Sequence, residues 1–157
     1  MIFGSKSFNK VNTCHRDLQT ILNQAIKLTR VDFGVSHGYR KPEEQFELYK
    51  KGRKEVSGGW KIEDKSKVVT YLDGFEKKSK HNHEPSRAFD IYAFVNGKAN
   101  WNKDYLIYLG GIIISASEIL YEQGKTTHKL RWGGNWDSDS EIITDQNFMD
   151  LPHFELI

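Results

Sequence analysis

Two short segments of the chain hold side chains that could bind a metal ion and activate water. The first begins at His83 and ends at Asp90, and reads His-Glu-Pro-Ser-Arg-Ala-Phe-Asp. The second carries Asp150 and, three residues later, His153. Two imidazoles and one carboxylate can hold zinc and leave a coordination position for water, while a further carboxylate can act as a base toward that water. The residue types therefore indicate a catalytic zinc site.

The spacing in the first segment requires a bend. In an extended chain, His83 and Asp90 would lie roughly 23 Å apart, too far for one ion. Pro85 lies between them and favours a turn, so a loop histidine and a strand aspartate could converge on one metal. Taken alone, a histidine at this position is more often a solvated surface residue than a metal ligand.

The second segment is short and contains a proline. Pro152 argues against a continuous helix through Asp150 and His153, so a bend would have to bring the carboxylate toward a metal-bound water. The alternative is that Asp150 ends a loop and His153 caps an edge strand. Cys14 is the only cysteine, which excludes a cysteine-based zinc site and leaves histidine and carboxylate ligands.

Composition limits the class of protein. A length of 157 residues fits a single domain covering residues 1–157. With 38% apolar and 28% charged residues, the chain is too hydrophobic to be disordered. A net charge of +2 suits an anionic polymer but is far weaker than the basic surface of a nucleic-acid binder. The longest apolar stretch, residues 105–116, is too short to span a bilayer, and the first residues do not resemble a signal peptide.

The pattern of apolar residues predicts elements of both types. Helices are predicted over residues 13–30, 41–52 and 104–123, and strands over 32–37, 68–71, 88–94, 129–132 and 153–157. Asn96-Gly97 predicts a hairpin turn after the strand at residues 88–94. Gly110-Gly111 inside the long helix costs about 1 kcal/mol per glycine, which close packing of another element would explain. The mixed order of elements predicts an α+β fold.

Four motifs in this order resemble those of the DD-peptidase/Hedgehog-like zinc peptidases. They are His83-x-x-Ser86-x-Ala88-x-Asp90, similar to the family signature Ser-x-His-x-x-Gly-x-Ala-x-Asp; the closing Asp150-x-x-His153; Arg131-Trp132-Gly-Gly-Asn-Trp136; and His37-Gly-Tyr-Arg40 with Gln45. The resemblance covers about residues 30–157. Within the family, it is strongest to the phage L-alanyl-D-glutamate endopeptidases. In this alignment His81 stands where the family has serine.

The resemblance implies a small antiparallel sheet that bears one zinc ion and packs against helices. It implies that His83, Asp90 and His153 hold the zinc and that Asp150 is the general base. Arg40 would face the scissile carbonyl or a substrate carboxylate, where a guanidinium stabilises developing negative charge. From the residues alone, an ion pair between Arg40 and a glutamate of the following helix remains open.

The remaining site residues are expected to contact substrate: His37, Gln45, His81 and Trp132. The implied substrate is the peptide stem of peptidoglycan, cut between L-alanine and D-glutamate by a monomeric enzyme. Such an enzyme would start in the host cytoplasm and reach the wall after a separate protein permeabilises the membrane. Two alternatives stay open: a D-alanyl-D-alanine carboxypeptidase or dipeptidase on the same scaffold, and a non-catalytic wall-binding or virion protein whose zinc is closed by His81 as a fourth ligand.

Other residues with reactive or metal-binding side chains are not expected to take part in catalysis. Cys14 is predicted to lie in the core, and His15 and His128 on the surface. Asp137, Asp139 and Glu141 alternate as calcium ligands do, but the segment lacks the glycine and the terminal glutamate of a calcium loop. Calcium is therefore the less favoured cation.

Overall fold

The computed structural model describes residues 1–141 and 146–157. The sequence also predicts a polar loop over residues 133–147, and this loop lies partly outside the described residues. The helices are α1 (Ser5–Val11), α2 (Arg16–Leu28), α3 (Pro42–Lys50) and α4 (Lys103–Glu122). The strands are β1 (Phe33–His37), β2 (Arg53–Val56), β3 (Gly59–Ile62), β4 (Ala88–Val95), β5 (Lys98–Asn100), β6 (Leu130–Trp132) and β7 (His153–Leu156), and two 3₁₀ turns span Lys65–Lys67 and Lys80–Asn82.

Five of the strands form one antiparallel sheet. Its order is β1-β4-β7-β6, and β5 pairs with β4 beyond the Asn96-Gly97 turn. A separate hairpin, β2-β3, follows α3. The α+β prediction is confirmed, as is the predicted hairpin. The predicted strand at residues 68–71 is wrong, because those residues form no strand and the neighbouring polar stretch supplies β2 and β3 instead.

One face of the sheet is covered by helices. Along β4, Phe89 and Ile91 point into the core while Asp90 and Tyr92 lie on the opposite face, as the two-residue period of a strand requires. The rings of Phe89 and Phe154 stack with centroids 5.0 Å apart. The amphipathic helix α2 buries its apolar stripe, Leu18, Ile21, Leu22, Ala25 and Ile26, against this face. Each fully buried side chain of this kind contributes roughly 1.5–3 kcal/mol.

The long helix α4 packs against α2 and the sheet at a glycine. A Cβ on Gly110 would lie 2.5 Å from Cζ2 of Trp132, whereas a Cβ on Gly111 would meet nothing within 4 Å. Trp132 is therefore a core residue, 3% exposed, and its Nε1 donates a hydrogen bond to the carbonyl of Leu151. This corrects the expectation that Trp132 contacts substrate. By length and composition alone α4 could also cross a membrane, but its buried side belongs to the core.

The candidate metal centre

The site lies on the face of the sheet opposite α2 and α4. Asp90 on β4 pairs in register with His153 on β7 and with His37 on β1, so the three backbones meet side by side. The adjoining 3₁₀ turn Lys80–Asn82 contributes His81. Each strand residue is directed to this face because its neighbours, such as Phe89 and Phe154, are directed to the core.

Three potential ligands converge there. His153 Nδ1 is 2.9 Å from Asp90 Oδ1, His81 Nε2 is 3.3 Å from the same oxygen, and the two imidazole nitrogens are 3.3 Å apart. The ligand atoms of the three residues all lie within 4.8 Å of one another. A tetrahedral ion with bonds of 2.0–2.2 Å needs ligand atoms about 3.4 Å apart, so the spacing fits a zinc-sized ion with little rearrangement. Two imidazoles and one carboxylate also leave a coordination position open.

The histidine in this cluster is His81, and His83 is outside it. The side chain of His83 is exposed, whereas His81 is 3% exposed and donates from Nδ1 to the carbonyl of Gly38 at 2.7 Å, which turns Nε2 toward Asp90. The expected convergence of His83 with Asp90 and His153 is therefore corrected.

Loop closure explains the exchange of histidines. The backbone N–H of Arg87 donates to the carbonyl of Lys80, which closes a loop with His81 at its base and His83 further out. His83 was predicted because it lies seven residues before Asp90, the spacing in the family signature. That spacing identifies the ligand only if this loop has the length usual in the family. The signal that could have located the ligand is Ser79-x-His81, which reproduces the Ser-x-His start of the signature.

Glu155, which was not predicted from the sequence, contacts the ring nitrogen of His153 that does not face Asp90. Its Nε2 lies 3.3 Å from Oε2 of Glu155, and Glu155 forms an ion pair with Arg131 on β6. Glu155 is 8% exposed; burial works against its charge, but hydrogen bonds to His153 and Arg131 lower its pKa to about 2. A histidine that donates Nε2–H to a carboxylate keeps Nδ1 free for a metal. The i, i+2 spacing of a strand could have revealed that Glu155 shares the face of His153.

The charges in the cluster depend on one another. Burial alone would raise the pKa of Asp90, but hydrogen bonds from His153 and His81 outweigh it and hold the pKa well below its usual range. Burial alone would lower the pKa of His153, but its bonds to Asp90 and Glu155 raise it to about 9. The Nδ1 proton of His153 thus lies where a cation would bind, so metal binding should release a proton.

Asp150 adjoins the cluster without belonging to the group of converging ligands. Its carbonyl accepts a hydrogen bond from the N–H of His153, and its own N–H donates to the carbonyl of Gly133. Burial raises the pKa of the Asp150 carboxyl, partly offset by the charge of His153. A carboxylate with a raised pKa is a stronger base, which suits the role expected for Asp150.

Arg40 is fixed at the edge of the cluster. Its Nη2 is 3.4 Å from Asp90 Oδ2, and its Nη1 donates to Gln45 Oε1 at 2.9 Å. The alternative ion pair with a glutamate of α3 is not found among the described residues; Arg40 pairs with Asp90. Gln45 is 1% exposed and donates to Thr70 Oγ1 and to the carbonyl of Leu72. Gln45 therefore holds Arg40 in place, and the predicted direct contact of Gln45 with substrate is replaced by a positioning contact.

His37 and Trp136 lie next to the cluster. The side chain of His37 is 53% exposed, with Nδ1 at 3.5 Å from Asp90 Oδ2, so it remains able to meet a substrate. The Trp136 ring lies beside His153 with centroids 5.7 Å apart and forms part of the wall of the site.

Cys14 is buried as predicted, and burial raises the pKa of its thiol to about 12. Among the residues described, Asp137, Asp139 and Glu141 form no group of converging ligands.

A sheet that carries a His-Asp-His cluster with an adjacent carboxylate and guanidinium defines a candidate metallohydrolase. The chain belongs to the phage L-alanyl-D-glutamate peptidase family, whose sequence profile matches residues 1–157.

Two relatives share sequence or fold. The peptidoglycan L-alanyl-D-glutamate endopeptidase CwlK of Bacillus subtilis (strain 168) is 31% identical over 129 residues, which are 81% of this chain and 62% of CwlK. The chain thus spans less than two thirds of that relative's length. The crystal structure of the L-Ala D-Glu endopeptidase ChiX of Serratia marcescens superposes with a TM-score of 0.68 at 23% identity, covering 99% of this chain and 90% of ChiX. The second likeness shows that the fold is shared.

Proposed function

We propose that this protein is a zinc-dependent endopeptidase that hydrolyses the bond between L-alanine and D-glutamate in the peptide stem of peptidoglycan. The observation that carries the proposal is the convergence of His81, Asp90 and His153 on one face of the sheet, with Asp150 and Arg40 beside them. Membership of the phage L-alanyl-D-glutamate peptidase family supplies the substrate class. The names of CwlK and ChiX agree with it.

The metal-binding residues and Asp150 have different parts in the proposed hydrolysis. Zinc, when held by His81, Asp90 and His153, would supply a Lewis acid that makes water nucleophilic near neutral pH. Asp150 takes a proton from the attacking water as the carbon–oxygen bond forms. It then passes this proton to the nitrogen of D-glutamate as the carbon–nitrogen bond breaks, and L-alanine is left with a free carboxylate.

Arg40 stabilises the charge that develops on the scissile carbonyl oxygen. Its guanidinium is already held by Gln45 and Asp90, so little reorganisation is needed when substrate binds. His37, exposed beside Asp90, is available to bind the polar stem on the same side. The enzyme would act on the wall after release from the cytoplasm of a phage-infected host, with the membrane opened by a separate protein.

The decisive experiment compares two neighbouring histidines. His81→Ala should lose most bound zinc and the ability to clear purified sacculi, whereas His83→Ala, as matched control, should retain both. Zinc is counted by elemental analysis after dialysis, and the new amino terminus is located by mass spectrometry. Zinc loss in His83→Ala with retention in His81→Ala would refute the ligand set.

The products distinguish the reaction from its rival. A free D-glutamyl amine supports the endopeptidase, while released D-alanine supports a carboxypeptidase on the same scaffold. Full lysis after exhaustive chelation would contradict the requirement for a metal.

A further inference from the structure

A second group of potential ligands lies apart from the Asp90 cluster. His15, Asp17 and His128 place one ligand atom each within 4.8 Å of one another. His128 Nδ1 is 2.8 Å from Asp17 Oδ2, and His15 Nδ1 is 4.0 Å from Asp17 Oδ1. Both histidines are expected from the sequence to lie on the surface, but the fold brings them together with their ring centroids 4.9 Å apart.

The carboxylate at the centre of this group is held rigidly. Asp17 Oδ2 accepts hydrogen bonds from the backbone N–H groups of Thr127 and His128, both at 3.0 Å, and from the Thr127 hydroxyl at 3.1 Å. All the hydrogen bonds that Asp17 accepts within the described part of the chain end on Oδ2. Oδ1 is thereby left facing His15. Carboxylates that bind metals are commonly fixed by such outer hydrogen bonds, which reduce the ordering needed when an ion enters.

The group is also accessible to ions from solvent. The side chains of His15 and His128 are 30% and 29% exposed, while that of Asp17 is 9% exposed. A partly buried carboxylate between two accessible imidazoles allows an ion to enter without opening the core. Imidazole nitrogen with one carboxylate oxygen is a donor set for zinc, nickel or copper, and it does not suit calcium or magnesium.

We propose that His15, Asp17 and His128 form a second binding site for a divalent transition metal such as zinc. The three ligand atoms, one from each residue, all lie within 4.8 Å of one another, compared with roughly 3.4 Å between the ligands of a tetrahedral ion, so small side-chain movements would complete the site. Binding displaces the hydrogen bond between His128 and Asp17 and the weak acceptance by His15 Nδ1 of the Asp17 N–H at 3.2 Å.

The site would join two distant parts of the chain. His15 caps α2 and Asp17 lies in its first turn, whereas His128 precedes β6. An ion that binds the folded but not the unfolded chain stabilises the fold. The positive end of the α2 dipole opposes a cation, so this site should bind more weakly than the one at Asp90.

The test is a zinc titration of the full chain by calorimetry, with bound ions counted by equilibrium dialysis against zinc. The wild type should bind two ions, the second more weakly than the first. His128→Ala and His128→Gln should each bind only one, and both should still cleave sacculi. The glutamine variant keeps a donor for Asp17, so it separates loss of a ligand from loss of folding, which circular dichroism monitors. His83→Ala is the matched control and should bind two.

The outcomes also separate this site from the catalytic one. His81→Ala should lose only the tight ion, and the His81→Ala/His128→Ala double variant should lose both. A wild type that binds a single ion, or a His128→Gln variant that still binds two, would overturn the second site and leave Asp17 as the centre of a hydrogen-bonded contact alone. Either result would leave the proposed endopeptidase untouched.

Discussion

Glu155→Leu should weaken zinc binding by about 10- to 100-fold while leaving the fold intact. Glu155 accepts from Nε2 of His153 and is itself paired with Arg131, so it selects the tautomer in which Nδ1 can bind the metal. A hydrogen bond to a charged group contributes about 1.5–3 kcal/mol, or about 10- to 150-fold in affinity. Loss of an outer carboxylate behind a metal-bound histidine typically costs 10- to 100-fold, in agreement. The Arg131 side chain is 35% exposed, so water can solvate it in the variant.

The assay is competition for zinc with a chromophoric chelator, combined with nitrogen-15 NMR of the histidine rings. The wild type should show His153 protonated at Nε2 when zinc is bound, and the variant should lose this preference. Glu63→Leu serves as control, because the Glu63 side chain is 68% exposed and its only ion pair among the described residues is with Lys54 at 3.9 Å. An affinity for zinc within twofold of wild type would refute the positioning role of Glu155.

Three further predictions test the site and the fold separately. Asp150→Asn should keep zinc but lower the rate of sacculus cleavage by about 10²- to 10⁴-fold, as expected for a lost general base; loss of zinc would make Asp150 a ligand instead. Asp17→Asn should reduce the free energy of unfolding in metal-free buffer. Burial works against the charge of Asp17, but its hydrogen bonds lower its pKa, so its contribution is present above about pH 4 and is lost as pH falls through the depressed folded-state pKa. Urea unfolding from pH 7 to pH 2 should show the two proteins converging at the acid end, and a constant difference would contradict this. Gly110→Ala should destabilise by about 1–3 kcal/mol through its clash with Trp132, whereas Gly111→Ala should stabilise by up to about 1 kcal/mol; equal effects in thermal unfolding would refute the close approach.

Elements with strong local patterns were predictable. The apolar stripe of α2, the proline at the start of α3 and the turn at Asn96-Gly97 each have a local physical cause that operates wherever the segment lies. Gly124 ends the predicted long helix with a φ of +67°, which glycine adopts without strain. The hairpin β2-β3 was missed because its residues are mostly exposed and polar, so no alternation of apolar side chains marks them.

The local sequence pattern did not predict that Trp132 is buried. Its motif predicted a contact with substrate, and only the packing of α4 showed that the indole lies in the core against Gly110. The role of Gln45 was likewise hidden, because its partners Thr70 and Leu72 lie on a loop with no periodic signal.

The sequence by itself determined which residue types are available for catalysis: histidines and carboxylates in two segments, no usable pair of cysteines, and motifs of a zinc peptidase family. It also determined that Asp90 and His153 lie on strands, since alternation in a strand is local. Only the tertiary structure decided that His81 rather than His83 meets them, because the closure of a loop between Lys80 and Arg87 depends on contacts that no local period records. The same holds for His128, whose approach to Asp17 and His15 arises from the packing of segments about 110 residues apart.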